Sequence, residues 1–253
     1  MKILFVGDLY ARPGVDYLLE SLPYLKQKYK PNIIIVNGEN ATNGRGINQK
    51  VYKQLLGAGV GVITMGNHTW KNQDLTKFYE GSKIVKPIND NIPGDGYQVI
   101  NYNGQKLLVI SALGTMFMDA QYELAYLKIK EILTTVEHDF SFIDFHAELT
   151  SEKIALAHYL DGIADALIGT HTHVQTNDGR ILPKGLIYLT DVGMTGPLNG
   201  VIGVKKEIII DRFINGYTVP NQIADGPRQL NAALITLSPK KAIELIHLEE
   251  TNG

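Results

Sequence analysis

Five apolar runs along the chain each end on a residue able to ligate a metal ion. KILFVGD ends at Asp8, NIIIVNGEN at Glu39 and Asn40, and GVITMGNH at Asn67 and His68. SFIDFH ends at His146, and DALIGTHTH at His171 and His173. The sequence has no cysteine, so thiolate chemistry is excluded. A mixture of carboxylate, amide and imidazole donors suits Mn, Fe, Zn or Mg. There are more donors than one tetrahedral ion needs. A carboxylate such as Glu39 can bridge, and two ions so bridged sit roughly 3.5–4 Å apart, as in binuclear hydrolytic centres. Taken alone, Asp8 reads as a helix cap ahead of Pro13, Asn67-His68 as a turn, and His146 as a core or rim histidine. Their recurrence in order, each at the end of an apolar run, is what favours one metal centre.

Elements must bring these residues together. In open α/β sheets, functional groups collect at the carboxyl ends of strands. Side chains two apart on an extended segment point the same way, so His171 and His173 are expected to face one point. The adjacent pairs Glu39-Asn40 and Asn67-His68 converge only where the backbone turns. Gly38 and Gly66 precede them and allow a tight turn or a close approach. Strands are expected at Ile3–Val6, Ile33–Val36, Val60–Met65, Tyr97–Asn101, Leu107–Ser111, Phe140–Phe145, Ala166–Ile168, Leu186–Leu189, Ala232–Leu237 and Ala242–Leu248. Several are apolar throughout, as strands buried on both faces should be. Helical spacing of apolar residues predicts helices over Pro13–Tyr29, Asn48–Leu56, Asp119–Thr134 and Ser151–Leu160, the last behind a capping-box-like Thr150-Ser151-Glu152. Lys206–Phe213 is read as helix. Asn103-Gly104 and Ser238-Pro239-Lys240 predict hairpins, so antiparallel strands join the parallel ones. Loops are expected at Thr42–Gly46, Asn89–Gly96 and Gly193–Gly203. The candidate ligands span residues 8 to 173, so residues 1–253 are read as a single α/β domain.

Composition narrows the partners. The hydrophobic fraction of 44% over 253 residues suffices for a sizeable core, and a formal net charge of -2 gives no nucleic-acid or membrane-surface footprint. No apolar stretch approaches membrane-spanning length, and MKILFVGDLY lacks the features of a signal peptide. A cytoplasmic location is the default expectation. The oligomeric state is left open, a homo-oligomer being one option.

The order GD, GEN, GNH, H and GTHTH resembles the calcineurin-like metallophosphoesterase superfamily, whose usual blocks are D-x-H, G-D, G-N-H, a lone H and G-H-x-H. Here Tyr10 stands where the first block has histidine, Gly38-Glu39-Asn40 replaces Gly-Asp, and one residue is inserted in Gly169-Thr170-His171-Thr172-His173. These departures match a narrower branch, the YmdB-like phosphodiesterases, which also shows the DVGMTGP stretch present here as Asp191–Pro197. The resemblance runs end to end. It implies a four-layer α/β/β/α sandwich with mixed sheets and two divalent or trivalent metal ions, Fe or Mn foremost, with Zn or Mg as options. It assigns Asp8, Glu39, Asn40 and His173 to one ion and Glu39, Asn67, His146 and His171 to the other. Glu39 would be the bridge, and Asn40 would stand in for the histidine missing at Tyr10. It assigns His68 to no metal but to general acid catalysis. The implied substrate is a small phosphoester, a 2′,3′-cyclic nucleotide above all. The implied reaction is in-line attack on phosphorus by a hydroxide formed at the metal centre.

Other readings remain in view: a metal-dependent phosphomonoesterase or nucleotidase, and a non-catalytic cyclic-nucleotide sensor acting through a protein partner. A dinucleotide-binding fold lacks its G-x-G-x-x-G, since Gly7-Asp8-Leu9-Tyr10 follows the first strand. His138, His158 and His247 have no motif neighbours and are expected to face solvent. Asp191 is read either as an orienting carboxylate for a ligand histidine or as a turn cap. Arg45 is read as a solvated loop arginine that can meet a phosphate, and Trp70 as a core residue that can stack on a base.

Overall fold

The alternation within the first strand sets the layering. In the computed structural model, which describes residues 1–92, 94–118, 122–216 and 219–250, β1 (Lys2–Val6) turns Ile3 and Phe5 to one face and Leu4 and Val6 to the other. All four are fully buried, so both faces of the strand must be covered. After β1 come β2 (Asp8–Leu9), α1 (Ala11–Tyr29), β3 (Ile33–Asn37), α2 (Gln49–Gly57), β4 (Val62–Thr64), β5 (Ile84–Val85), β6 (Tyr97–Tyr102) and β7 (Gln105–Leu113). They are followed by α3 (Ala125–Thr135), β8 (Phe140–His146), α4 (Thr150–Leu160), β9 (Ala166–Thr170), β10 (Arg180–Ile181), β11 (Ile187–Leu189), β12 (Met194–Pro197), α5 (Lys206–Asn215), β13 (Arg228–Thr236) and β14 (Ala242–Glu249).

One sheet runs β2-β12-β13-β1-β3-β4-β5, with β14 on the other edge of β13; the second runs β10-β11-β9-β8-β7-β6. Both are mixed: β1 is parallel to β3 and antiparallel to β13, and β8 is parallel to β7 and β9 while β6 is antiparallel to β7. Ile3, Phe5, Ile35 and Val62 of the first sheet pack against Leu107, Val109, Phe142 and Ile168 of the second. Phe5 and Phe142 meet edge to face, with ring centres 4.9 Å apart. Outside the first sheet, Leu18 and Leu22 of α1 and Leu55 of α2 cover Leu4, Val6 and Val36. Outside the second, Ile129 of α3 and Leu156 and Leu160 of α4 cover Ile110, Ile143 and Phe145. The result is the four-layer α/β/β/α sandwich with mixed sheets. No helix among the described residues is long and apolar enough to cross a membrane.

Both expected hairpins form, β6 with β7 and β13 with β14, and Lys206–Phe213 lies in helix α5. Other expectations are corrected. Gly193–Gly203 is not all loop, because β12 pairs with β2 and β13 within it. Four residues carry too little periodicity to declare such a strand. The expected helix Asp119–Thr134 begins only at Ala125; residues 119–121 lie outside the described residues. Helix α1 starts two residues ahead of Pro13, which falls within its first turn. Thr150 forms no capping box. It is the first residue of α4 and no side chain caps that end, because the Glu152 carboxylate instead accepts from the Thr115 backbone N–H and hydroxyl.

Candidate metal centre

The candidate ligands meet where the parallel strands end. Beyond β1, the Asp8 N–H donates to Gly193 O (3.1 Å), which pins the segment against β12. Asp8 is completely buried. Its Oδ2 accepts from the His171 backbone N–H (3.1 Å) and lies 3.4 Å from His173 Nε2, and its Oδ1 has no partner among the described residues. Beyond β3, Asn37 Oδ1 accepts from the Glu39 N–H (3.1 Å) and starts the turn. Glu39 then reaches both ways. Oε1 accepts from Asn40 Nδ2 (2.7 Å), and Oε2 accepts from the His68 N–H (3.1 Å) and lies 3.2 Å from His146 Nε2. Gly66, beyond β4, makes room for this. A Cβ there would lie 2.3 Å from Glu39 Oε2 and 2.5 Å from His146 Nε2, far inside van der Waals contact.

The three imidazoles expected as ligands are oriented from outside. His146 Nδ1 faces Thr170 Oγ1 at 2.8 Å, and that hydroxyl donates its own proton to Asp144 Oδ1 (2.7 Å). Thr170 therefore accepts at His146, which places a proton on Nδ1 and leaves Nε2 to face inward. His171 Nε2 lies 3.0 Å from Glu148 Oε2, and His173 Nδ1 lies 3.1 Å from Ile202 O. Both outer partners are acceptors, so the inner nitrogens, His171 Nδ1 and His173 Nε2, carry lone pairs. His146 Nε2 and His171 Nδ1 are 3.0 Å apart, and Asn67 Oδ1 lies 3.0 Å from His146 Nε2. Electron pairs of His146, His171, Asn67 and Glu39 thus converge on one place, which only a proton or a cation can satisfy. The unpartnered buried oxygen of Asp8 marks the other end.

The titration of these groups has the same cause. Burial would lower His146, but Glu39, Asp8 and Asp144 outweigh it and raise it to about 9. Burial would raise Glu39, but His146 and His68 hold it well below the usual carboxylate range. Burial pushes Asp8 well above that range against the pull of His146. Burial, aided by His146, lowers His171 to about 3, and burial lowers His173 as well. The donor set fits hard or borderline cations.

Among the described residues, no three His, Asp or Glu groups alone are arranged to hold an ion, so the two amides matter. Asn67 already turns its oxygen inward. Asn40 turns its NH2 toward Glu39 and His173 (3.2 Å to Nε2) and its oxygen to His68 Nδ1 (2.8 Å). Ligation by Asn40 requires a half-turn of that amide.

The expectation that His171 and His173 face one point is overturned. Strand β9 stops at Thr170 and both histidines have left-handed backbone, φ 103° and 66°, so alternation does not apply. His171 joins His146, and His173 joins Asp8 and Asn40. Positive φ at a non-glycine residue is costly and persists where surroundings enforce it. Asp191 does so. It accepts from the Thr172 N–H (3.0 Å), the Thr172 hydroxyl (2.9 Å) and the Gly193 N–H (2.9 Å), and pairs with the buried Lys153 Nζ at 2.8 Å. Lys153 Nζ also donates to Thr170 O (2.8 Å). Asp191 therefore orients the two histidines expected as ligands through the backbone between them.

Thr170, Asp144, Glu148 and Lys153 were not singled out from the sequence. Asp144 offered a signal, a charged residue inside an otherwise buried run. Trp70 packs against the first core and donates Nε1–H to Asp90 Oδ2 (2.9 Å). His158 and His247 are exposed, whereas His138 is half-buried with Nδ1 2.7 Å from Val136 O.

The YmdB-like family model matches residues 4–247. The 2′,3′-cyclic-nucleotide 2′-phosphodiesterase of Bacillus subtilis is 44% identical over 252 residues, covering 97% of this chain and 95% of that protein. A Mycoplasma pneumoniae crystal structure described as a novel phosphatase superposes with a TM-score of 0.92 at 36% identity, covering 98% of this chain and 93% of that one. A Staphylococcus aureus structure described as a 5′-nucleotidase shares the fold alone, with a TM-score of 0.60 at 12% identity over 98% of this chain and 54% of that one. With one family spanning nearly its whole length, the chain belongs to the YmdB-like family.

Proposed function

We infer that the chain is a metal-dependent phosphodiesterase that opens 2′,3′-cyclic nucleotides, acting as one domain over residues 1–253. The observation that carries this reading is the convergence of inward-facing lone pairs from His146, His171, Asn67 and Glu39 beside the unpartnered oxygen of Asp8. Asp8, Glu39, Asn40 and His173 would hold one ion; Glu39, Asn67, His146 and His171 would hold the other, with Fe or Mn the favoured metals. Bound there, the ions would lower the pKa of a water and neutralise charge on the phosphoryl oxygens.

The chain's own groups supply the rest. A cavity of about 380 Å³ opens over Glu39, Asn40, His68, His171 and His173, wide enough for a ribose phosphate. His68 is held at Nδ1 by Asn40, and its Nε2 has no partner among the described residues. In its imidazolium form His68 keeps one proton on Nδ1, which faces Asn40 Oδ1 (2.8 Å) and Glu39 Oε1 (3.3 Å), and carries the other on Nε2. Nε2 gives that proton to the 2′ oxygen as water adds to phosphorus and the P–O bond to the 2′ oxygen breaks, leaving a 3′-phosphate and a neutral imidazole. When the Asn40 amide makes the half-turn that ligation needs, Glu39 Oε1 remains as the acceptor for the Nδ1 proton.

Metal analysis of the purified protein, paired with turnover of 2′,3′-cyclic AMP and of a generic monoester, tests this reading. Bound metal with preferential turnover of the cyclic ester is expected. Absence of both metal and turnover across Mn, Fe, Zn and Mg sinks it, and preference for the monoester makes the chain a phosphatase. A Glu39 variant that keeps its biological effect without hydrolysis would favour the sensor.

A further inference from the structure

The reaction cavity does not end at His68. It continues into a second chamber of about 430 Å³, and the two share Tyr10, Gly44, Arg45 and Asn221. Arg212 of α5 and Asn43 also line the outer chamber, and among the described residues no acidic one does. In a chain of formal net charge -2, this mouth holds two guanidinium groups without counter-ions. Arg45 makes no side-chain hydrogen bond or ion pair with the described residues. Arg212 donates through Nη2 to Val219 O (3.3 Å) and Asn221 Oδ1 (2.7 Å), both uncharged, and its buried Nε has no partner among the described residues. Arg12 pairs with Asp16, and Arg228 with Glu20 and Glu250, whereas Arg180 of β10, which lies outside both chambers, has no ion pair among the described residues.

Arg212 Nη1 and the Arg45 guanidinium keep donors that no described residue accepts, and an anion in the chamber would accept them. Guanidinium forks match the planar arrays of phosphate oxygens and prefer them to single acceptors. Continuity of the chambers sets the second anion at a distance from the first, with Arg45 at the junction. We propose that Arg45 and Arg212 form an outer anion subsite for a second phosphate, carried on the 5′ side of the nucleoside whose cyclic phosphate reacts. This rests on the phosphodiesterase reading and extends it. The substrate class becomes a nucleotide with a cyclic phosphate at one end and a 5′-phosphate or phosphodiester at the other. Arg45 serves both chambers, whereas Arg212 serves only the outer one.

The test compares product-like ligands on the Mn-loaded protein by calorimetry. Adenosine 3′,5′-bisphosphate is expected to bind roughly tenfold more tightly than adenosine 3′-monophosphate, the size of one charge-assisted contact. Arg212→Ala should abolish that ratio while leaving the monophosphate affinity in place, and Arg212→Lys should keep part of it. Extension of the gain to a dinucleotide ending in a 3′-phosphate assigns the subsite to RNA ends; confinement to the bisphosphate assigns it to free mononucleotides. Equal affinities in the wild type overturn the subsite, as does an Arg212→Ala loss that is the same for both ligands, which would mark a structural role. Turnover of 2′,3′-cyclic AMP, measured alongside, reports on the underlying reading separately.

Discussion

Asn67 and His68 are consecutive residues for which opposite tasks are proposed. Asn67 Oδ1 lies 3.0 Å from His146 Nε2, within the converging donors, while His68 Nδ1 turns 2.8 Å from Asn40 Oδ1 and leaves Nε2 without a partner among the described residues. The divergence follows from the turn after Gly66, where the His68 N–H donates to Glu39 Oε2. Single substitutions should separate the tasks. His68→Ala is expected to keep its metal and lose roughly 10²–10⁴-fold in turnover, the usual size of general acid catalysis. Asn67→Ala is expected to lose metal first and activity as a consequence. Metal content by mass spectrometry beside kcat distinguishes them, and loss of metal from His68→Ala would make that imidazole a ligand. The identity of these residues was legible in the sequence because each closes an apolar run. The half-turn required of Asn40 was not, since spacing fixes where an amide sits and not which end of it faces inward.

Strands and helices with strong periodicity were legible for the same physical reason that they form. A strand buried on both faces must be apolar throughout, as Ile33–Val36 is, and a helix covering a sheet must repeat its apolar residues, as Val15, Leu18 and Leu22 do. The pieces that aim the site were hidden because their cause lies in distant partners. β2 and β12 are two and four residues long, and the left-handed turns at His171 and His173 are enforced by Asp191 from another segment. Lys153 sits on α4, where a lysine reads as solvated, yet it is fully buried. Breaking its pair with Asp191 should cost about 3–5 kcal/mol. Lys153→Met is therefore expected to lower the melting temperature by roughly 10 °C, given about 2–4 °C per kcal/mol in a chain of this size, and to weaken metal binding through the histidine turn. The double variant Lys153→Met, Asp191→Asn should recover part of the loss, because no uncompensated charge remains. Full stability in Lys153→Met would remove Lys153 from this role. Gly66→Ala carries the companion prediction. Its Cβ must displace Glu39 and His146, so metal should be lost while the layered fold, read by circular dichroism, is retained.

At the scale of the whole molecule, the candidate centre lies across the seam between the sheets. Asp8, Glu39 and Asn67 follow strands of the eight-stranded sheet, whereas His146, His171 and His173 end or follow strands of the six-stranded one. Below the seam the sheets are joined by apolar contact such as Phe5 on Phe142. At the rim they are joined by buried polar groups, among them Asp8, whose carboxyl burial pushes well above the usual carboxylate range. A cation held there ties the sheets together where the hydrophobic core does not reach, and it binds the folded chain but not the separated ligands. Ligand linkage then stabilises the fold by RT ln(1 + [L]/Kd), about 2.7 kcal/mol at a hundredfold excess over Kd. In a chain of this length that corresponds to roughly 5–10 °C. Exhaustive chelation is expected to lower the melting temperature by that amount, and readdition of Mn should restore it in proportion to the logarithm of free metal. The shift should vanish in Glu39→Gln, where the bridge between the two sets of donors is weakened, and persist in His68→Ala. A melting temperature indifferent to chelation in a protein shown to carry metal would mean that the ions rest on one sheet alone.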